Sequence, residues 1–207
     1  MWPDSTETQE LLQRARRGEK TAVEQLLARH REPVQRMIGL RLDRALAPRV
    51  DASDIVQEVL LEASQRLSEY LRQPAMPFHL WLRHIARDHV IDAHRRHRKA
   101  QRRSVDREQP MRTAWPDQSS VELAADLIDR ELTPATAALR RELADRFQEV
   151  LAELNEDERE VILMRHFEQL SNQEVATALG LSEAAAAMRH LRALRRLRAL
   201  IEAHEGR

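Results

Sequence analysis

The chain has no cysteine among its 207 residues. A disulfide framework is excluded, and so is a metal site built on thiolates. Glycine is scarce at 4 residues, and aromatic side chains make up 3%. With 33% charged residues, that composition favours a helical protein over a sheet protein. No apolar run approaches a membrane span. The N-terminus, Met1-Trp2-Pro3-Asp4-Ser5-Thr6-Glu7, lacks the basic start and apolar core of a secretion signal. A soluble cytoplasmic protein with no membrane insertion is expected. Catalytic phrases are missing as well: there is no P-loop, no glycine-rich phosphate cradle and no nucleophile with a base. No enzyme, catalytic residue, cofactor or metal is expected.

Neither sign of charge is in excess, since 34 basic residues balance 34 acidic ones. As a total, that argues against nucleic acid. By segment it does not. His94 to Arg112 holds eight Arg or Lys against two acids, and Ala138 to Leu170 holds nine acids against five bases. Charge is sorted along the chain, so local patches matter more than the sum.

What is present is most informative from Leu170 to Arg198. Ser171 followed by Glu174 is a capping box, so a helix should start there. Val175, Ala178 and Leu179 recur on one face. Gly180 stands where a helix ends in the left-handed conformation. Ser182 caps a second helix, with Met188, Leu191, Leu194 and Leu197 as its apolar side. That helix carries Arg189, Arg192, Arg195, Arg196 and Arg198, with no acid between Glu183 and Glu202. Two short helices joined by a glycine turn, the second one basic, are the layout that places a helix in the DNA major groove. The alternative is a plain helical hairpin with a solvated arginine face.

The length allows one or two domains, and the pattern divides in two. The first helix covers 5–18, with Leu11, Leu12 and Ala15 buried. The second runs from Thr21 to about Ala45, and Pro33 should kink or divide it. A third opens at Asp51 or Ser53, striped by Ile55, Val56, Val59, Leu60, Ala63 and Leu67. A fourth carries Phe78, Trp81, Leu82, Ile85, Ala86, Val90 and Ile91. These units form a first domain, 1–96. Residues 97–133 read as a basic arm and polar linker, with a short acidic helix over Ser119–Glu131. The arm is either a frayed helix end or a flexible segment. The second domain, 134–207, holds helices near Ala135–Leu154, Glu156–Phe167, Asn172–Leu179 and Glu183–His204. The expected class is all-α, two small helical domains on a polar linker. Histidines at 79, 84, 89 and 94 recur every five residues, a period that spreads side chains around a helix and does not converge them on a metal.

Two phrases carry a resemblance. One is Asp51-Ala52-Ser53-Asp54-Ile55-Val56-Gln57-Glu58-Val59-Leu60, followed by Phe78 to Asp88, Asp92 and Arg95. The other is Leu151 to Leu154, Glu158 to Val161, and Leu170 to Ser182. Together they resemble the small bacterial sigma factors of the extracytoplasmic-function group, over 8–96 and 135–200. The resemblance implies sigma region 2 in the first domain and region 4 in the last. It implies a transcription initiation factor that binds core RNA polymerase, recognises a bipartite promoter and helps open the DNA. Its implied partners are the β′ coiled-coil and β flap of the polymerase, promoter DNA, and an anti-sigma factor or other regulator.

By the same resemblance, Asp51, Asp54, Gln57 and Glu58 dock on polymerase, an acid-and-amide face suited to a basic partner. Arg83, Arg87, Asp88, Arg95, Arg96, Arg98 and Lys99 meet the minus-ten element. Asp88 stands where the family commonly has Asn, and an acid cannot donate an amide's hydrogen bonds. Trp81 lies on the apolar face and reads as core. Ser182, Arg189, Arg192 and Arg196 meet the minus-thirty-five element. Ala184 to Ala187 replace a Gly-Thr-Val-Lys type sequence, so binding is expected to lean on phosphates and DNA shape, with weaker direct readout. Two rivals remain at this level: a helix-turn-helix regulator that acts without polymerase, and a sigma-derived interaction scaffold.

Overall fold

A computed structural model of the chain describes residues 2–3, 5–42, 51–101, 147 and 149–205. The expected acidic helix over Ser119–Glu131, and most of the helix expected at Ala135–Leu154, lie outside these residues. The described residues are helical, with no strand among them, and fall into two compact units.

Among the described residues the first unit has four helices: α1 (Ser5–Arg16), α2 (Lys20–Gly39), α3 (Ala52–Arg72) and α4 (Phe78–Gln101). Local chemistry sets their ends. Gly18 takes a positive φ of 86° between α1 and α2. The Asp51 carboxylate accepts from the Ser53 backbone N–H at 2.8 Å and caps α3, satisfying a donor that the helix start leaves orphaned. One core joins the four helices: Leu11 and Leu12, then Leu26, Val34 and Ile38, then Ile55, Val56, Val59 and Ala63, then Phe78, Leu82, Ala86 and Val90. Each large apolar side chain so buried contributes about 1.5–3 kcal/mol. Trp81 is half-buried and packs against Tyr70 and Phe78 at 4.8 and 5.5 Å between ring centroids.

Two open alternatives narrow here. Pro33 lies inside α2, which runs through it from Lys20 to Gly39, so of the two expected effects division does not occur; Val34, Met37 and Ile38 just beyond it are buried. α4 runs past Arg96 through His97 to Gln101, so of the two forms expected for the basic arm its start takes the helical one.

His30 is a buried polar group in this core. Its Nδ1–H donates to the Leu26 carbonyl at 2.8 Å, which leaves Nε2 as a bare acceptor with no partner. Burial pushes its pKa down to about 4. A histidine lowered by folding binds fewer protons than the unfolded chain between its two pKa values. Stability is therefore full above pH 6.5 and falls as the pH drops towards 4, by up to about 1.4 kcal/mol per pH unit. The sum over that window is about 3 kcal/mol. Urea denaturation followed by tryptophan fluorescence should show this slope. His84, also held low by burial, acts in the same direction, so His30→Gln should flatten the slope without removing it. An unchanged slope in His30→Gln would assign the effect elsewhere.

The second unit contains α5 (Glu156–Ile162), a π-helical turn (Leu163–Phe167), α6 (Asn172–Leu179) and α7 (Glu183–Glu205). Residues 149–153 are helical ahead of α5. Asn155 caps α5 by accepting from the Glu158 N–H at 2.8 Å. The π turn keeps Leu163, Met164 and Phe167 buried together, and Phe167 meets Phe147 at 6.1 Å. Long α7 packs against both α5 and α6.

Candidate functional site

The docking residues expected on α3 form one exposed face. Asp51, Asp54, Gln57 and Glu58 are all exposed, while Ile55, Val56 and Val59 between them are buried. Spacings of three and four residues put Asp54, Gln57, Glu58 and Leu61 in line on a helix. Leu61 is 62% exposed. It is outside the expected docking set, although an apolar residue off the core stripe and in register with the acids is a signal visible in the sequence.

Glu58 is not isolated. His89 of α4 places Nδ1 3.3 Å from Glu58 and Nε2 2.8 Å from Glu62, and Arg96 lies 3.6 Å from Glu58. The Glu62 carboxyl is held below its ordinary range by its hydrogen bonds to Arg66 and then His89. The edge of the acidic face is thus fastened to the helix expected at DNA. Exposed ion pairs of this kind are worth about 0–1 kcal/mol, too little to withhold Glu58 or Arg96 from a partner.

Along α4, Arg87, Asp88, Arg95 and Arg96 are exposed. Arg87, Asp88, Ile91 and Arg95 share a ridge by their spacing. Asp92 lies 3.8 Å from Arg95 and moderates the charge there. Arg83 requires a correction. It is fully buried, in line with Ala86 and Val90 on the core side, so its guanidinium offers no surface cation to a phosphate. Burial, then the nearby Arg83 and Arg87, keeps the His84 pKa below its ordinary value. Arg98 and Lys99 lie on the last turns of α4, but their side chains are outside the described set.

The spaced histidines go to separate places. His79 packs on Trp2 at 5.8 Å, His89 meets the two glutamates, and His94 donates through Nε2 to the Arg41 carbonyl at 3.0 Å. Among the described residues no group of three or more histidines or acids is placed to hold a metal.

In the second unit, Ser171 and Glu174 form a reciprocal capping box, and Gly180 adopts φ 64° with its N–H on the Ala176 and Thr177 carbonyls. The Ser182 hydroxyl accepts from the Ala185 N–H at 3.2 Å, so it caps α7. Asn172 ties the two helices by donating to the Glu183 carbonyl at 2.9 Å. Behind the turn, Arg165 donates to the Leu170 carbonyl. The ring nitrogens of His166 and His190 meet at 2.9 Å. One must donate and the other accept, so at least one ring is neutral. Burial and then Arg165 hold His190 low.

The face of α7 differs from the expected one. Ala186, Ala193 and Leu197 are fully buried, while Met188 and Leu191 are 49% and 39% exposed. The expected stripe of Met188, Leu191, Leu194 and Leu197 therefore keeps only Leu197 fully inside. Ala186 leaves the group of outward alanines. Arg189 sits on the shoulder, 31% exposed and 3.4 Å from Asp157 of α5. Arg192, Arg195, Arg196 and Arg198 are exposed; Arg198 pairs with Glu202 at 3.6 Å. Arg195, outside the expected site set, joins Arg192 and Arg196 on the basic surface.

Comparison with known proteins assigns both units. The chain matches sigma-70 region 2 over residues 26–100 and sigma-70 region 4 over 144–197. The RNA polymerase sigma factor CnrH of Cupriavidus metallidurans is 31% identical over 198 residues, 93% of either chain. The ECF RNA polymerase sigma factor ShbA of Streptomyces griseus is 32% identical over 193 residues, 93% of this chain and 94% of that one. RfaY of Xanthomonas campestris is 36% identical over 156 residues, 75% of this chain; the match spans 34% of that longer relative. The solved structure of CnrH in complex with the cytosolic domain of CnrY superposes with a TM-score of 0.60 at 27% identity, covering 97% of this chain and 99% of that one. No helix of the described residues is long and apolar enough to cross a membrane. The chain belongs to the RNA polymerase sigma factors of the sigma-70 family, in the extracytoplasmic-function group, and is a transcription initiation factor, not an enzyme.

Proposed function

We propose that this sigma factor binds core RNA polymerase through α3, recognises a bipartite promoter with α4 and α7, and helps open the DNA. Polymerase is cytoplasmic, and so is the proposed site of action. The observation that carries the reading is the exposed row of Asp54, Gln57 and Glu58 on α3. A helix-turn-helix regulator acting alone has no use for it. The β′ coiled-coil is the proposed partner of that row, and the β flap that of the second unit. Asp51, at the cap of α3, extends the acidic face.

On α4, Arg87, Arg95 and Arg96 neutralise phosphates near the minus-ten element, with Arg98 and Lys99 following. Asp88 has no amide to donate, so base choice there rests on shape and unstacking. On α7, Ser182 sets the helix start, whose free N–H groups can face a phosphate. Arg192 and Arg196 follow the backbone, whereas Arg189, on the shoulder beside Asp157, is a minor contact. The proposed division is 1–96 for polymerase docking and the minus-ten element, 97–133 as basic arm and linker, and 134–207 for the minus-thirty-five element. An anti-sigma factor is a further proposed partner, because CnrH is solved with CnrY.

Run-off transcription tests the whole reading. Purified chain and core polymerase, on a genomic fragment library, should give transcripts that core polymerase alone does not start. Co-purification with polymerase but no promoter-dependent transcript would leave a scaffold in place of an initiation factor.

A further inference from the structure

The exposed row of α7 carries an inference that rests on the promoter-binding reading and adds what that helix reads. Four large apolar side chains are well exposed among the described residues: Leu61, Ile91, Met188 and Leu191. Two of the four are on α7. The buried positions Ala186, Ala193 and Leu197 fix the inward side of the helix. Half a turn away, at spacings of four, three and four, lie Ala184, Met188, Leu191 and Arg195, and all four are exposed. The first three are apolar and the last is a cation. The outward row therefore changes character along its length, apolar near the helix start and basic after it.

We propose that Met188 and Leu191, with Ala184 beside them, read thymine C5-methyl groups in the major groove of the minus-thirty-five element. A helix-turn-helix sends the N-terminal part of its second helix to the base edges. From Ala184 to Leu191 that helix advances about 10 Å, or about three base-pair steps. The floor of the major groove presents donors, acceptors and a single apolar group, the thymine methyl. An apolar side chain can read only that group. Methionine is unbranched and flexible, and it fits irregular apolar contacts.

Charge selects DNA over a protein as the occupant. Arg195 ends the row, Arg192, Arg196 and Arg198 flank it, and no acid stands between Glu183 and Glu202. A groove walled by phosphates matches an apolar strip rimmed with guanidinium groups. The alanines that take away bidentate pairs thus leave a different kind of direct readout in place.

The test uses holoenzyme and a promoter that it transcribes. Each thymine of the minus-thirty-five element is replaced in turn by deoxyuridine, which removes only the C5-methyl group. At one or two positions the dissociation constant should rise about fourfold, the equivalent of one buried methyl group. Met188→Ala and Leu191→Ala should weaken binding to the unmodified promoter by a similar factor. Each should also abolish the deoxyuridine penalty at its own position, a non-additivity expected of groups in contact. Both residues are exposed, so the variants should fold.

Deoxyuridine without effect at every position, on a promoter whose minus-thirty-five element still matters, overturns the inference. So does a promoter with no thymine in that element. If Met188→Ala and Leu191→Ala leave DNA binding untouched but release a co-purifying protein, the row belongs to that protein and the inference is overturned. If the minus-thirty-five element proves irrelevant to binding, the promoter reading of the second unit fails first, and that outcome is separable because no base change there has any effect.

Discussion

Reversing Asp54 and Glu58 together to arginine is expected to abolish binding to core polymerase while leaving the helical fold intact. Both side chains are exposed on α3 and neither supports the core. Glu58 does meet His89 and Arg96, but exposed pairs are worth about 0–1 kcal/mol each. Melting followed by circular dichroism should shift by only a few degrees. At the polymerase surface the change is much larger. Two attractive contacts become two repulsive ones against a basic partner, and like charges facing one another cost several kcal/mol. A loss of at least a hundredfold in affinity follows, since about 1.4 kcal/mol is tenfold. Asp54→Asn with Glu58→Gln keeps the shape and removes only charge, so it should fall between. Leu61→Ala should weaken binding with little change in salt dependence, because an apolar contact releases no counterions. A pull-down in which the double reversal still retains polymerase would show that this row is ordinary solvated surface.

The capping chemistry was legible in the sequence because it is local. Asp51, Ser171, Gly180 and Ser182 each act within a few residues, and so do the stripes of α1 and α3. What misled was tertiary. On α7 the larger side chains of Met188 and Leu191 looked like the core face, yet Ala186 and Ala193 occupy it together with Leu197. Short helices α5 and α6 both pack on α7, and a small side chain such as Ala186 or Ala193 lets backbones approach closely. For Met188 and Leu191 size therefore marked the wrong side. On α4 the charge of Arg83 was read ahead of its position, though it is three residues before Ala86 and seven before Val90, both buried. The reach of α4 to Gln101, one of the two forms expected for the arm, stayed open for a different reason. Arginine, lysine and glutamine have good helix propensity, but a helix with no core beneath it leaves no apolar period to detect. The pairing of Glu58 with His89 and Arg96 joins residues more than thirty apart in sequence, and no local pattern announces it.

Removing Arg192, Arg195 and Arg196 together to alanine is expected to give the largest loss in promoter binding. All three are exposed on α7, so the loss should be of DNA contact and not of fold. Each phosphate that a cation neutralises steepens the logarithmic salt dependence by about 0.9 on duplex DNA. Three lost contacts should flatten the slope by about 2.7, and at 0.1 M salt should lower affinity by about 500-fold. The loss should be much the same on every sequence, because phosphates carry no base identity. Arg189→Ala is the contrasting case. Its guanidinium faces Asp157 at 3.4 Å and is 31% exposed, so it stands on the shoulder of the helix and not on its outward face. Its removal should cost less than about threefold and leave the slope nearly unchanged, as expected for an exposed ion pair. Holoenzyme titrated with one promoter at several salt concentrations measures both variants. If Arg189→Ala alone reproduces the flattened slope while the triple variant does not, the DNA lies against the α5 side of α7. The outward row would then be misassigned, and the thymine-methyl contacts with it.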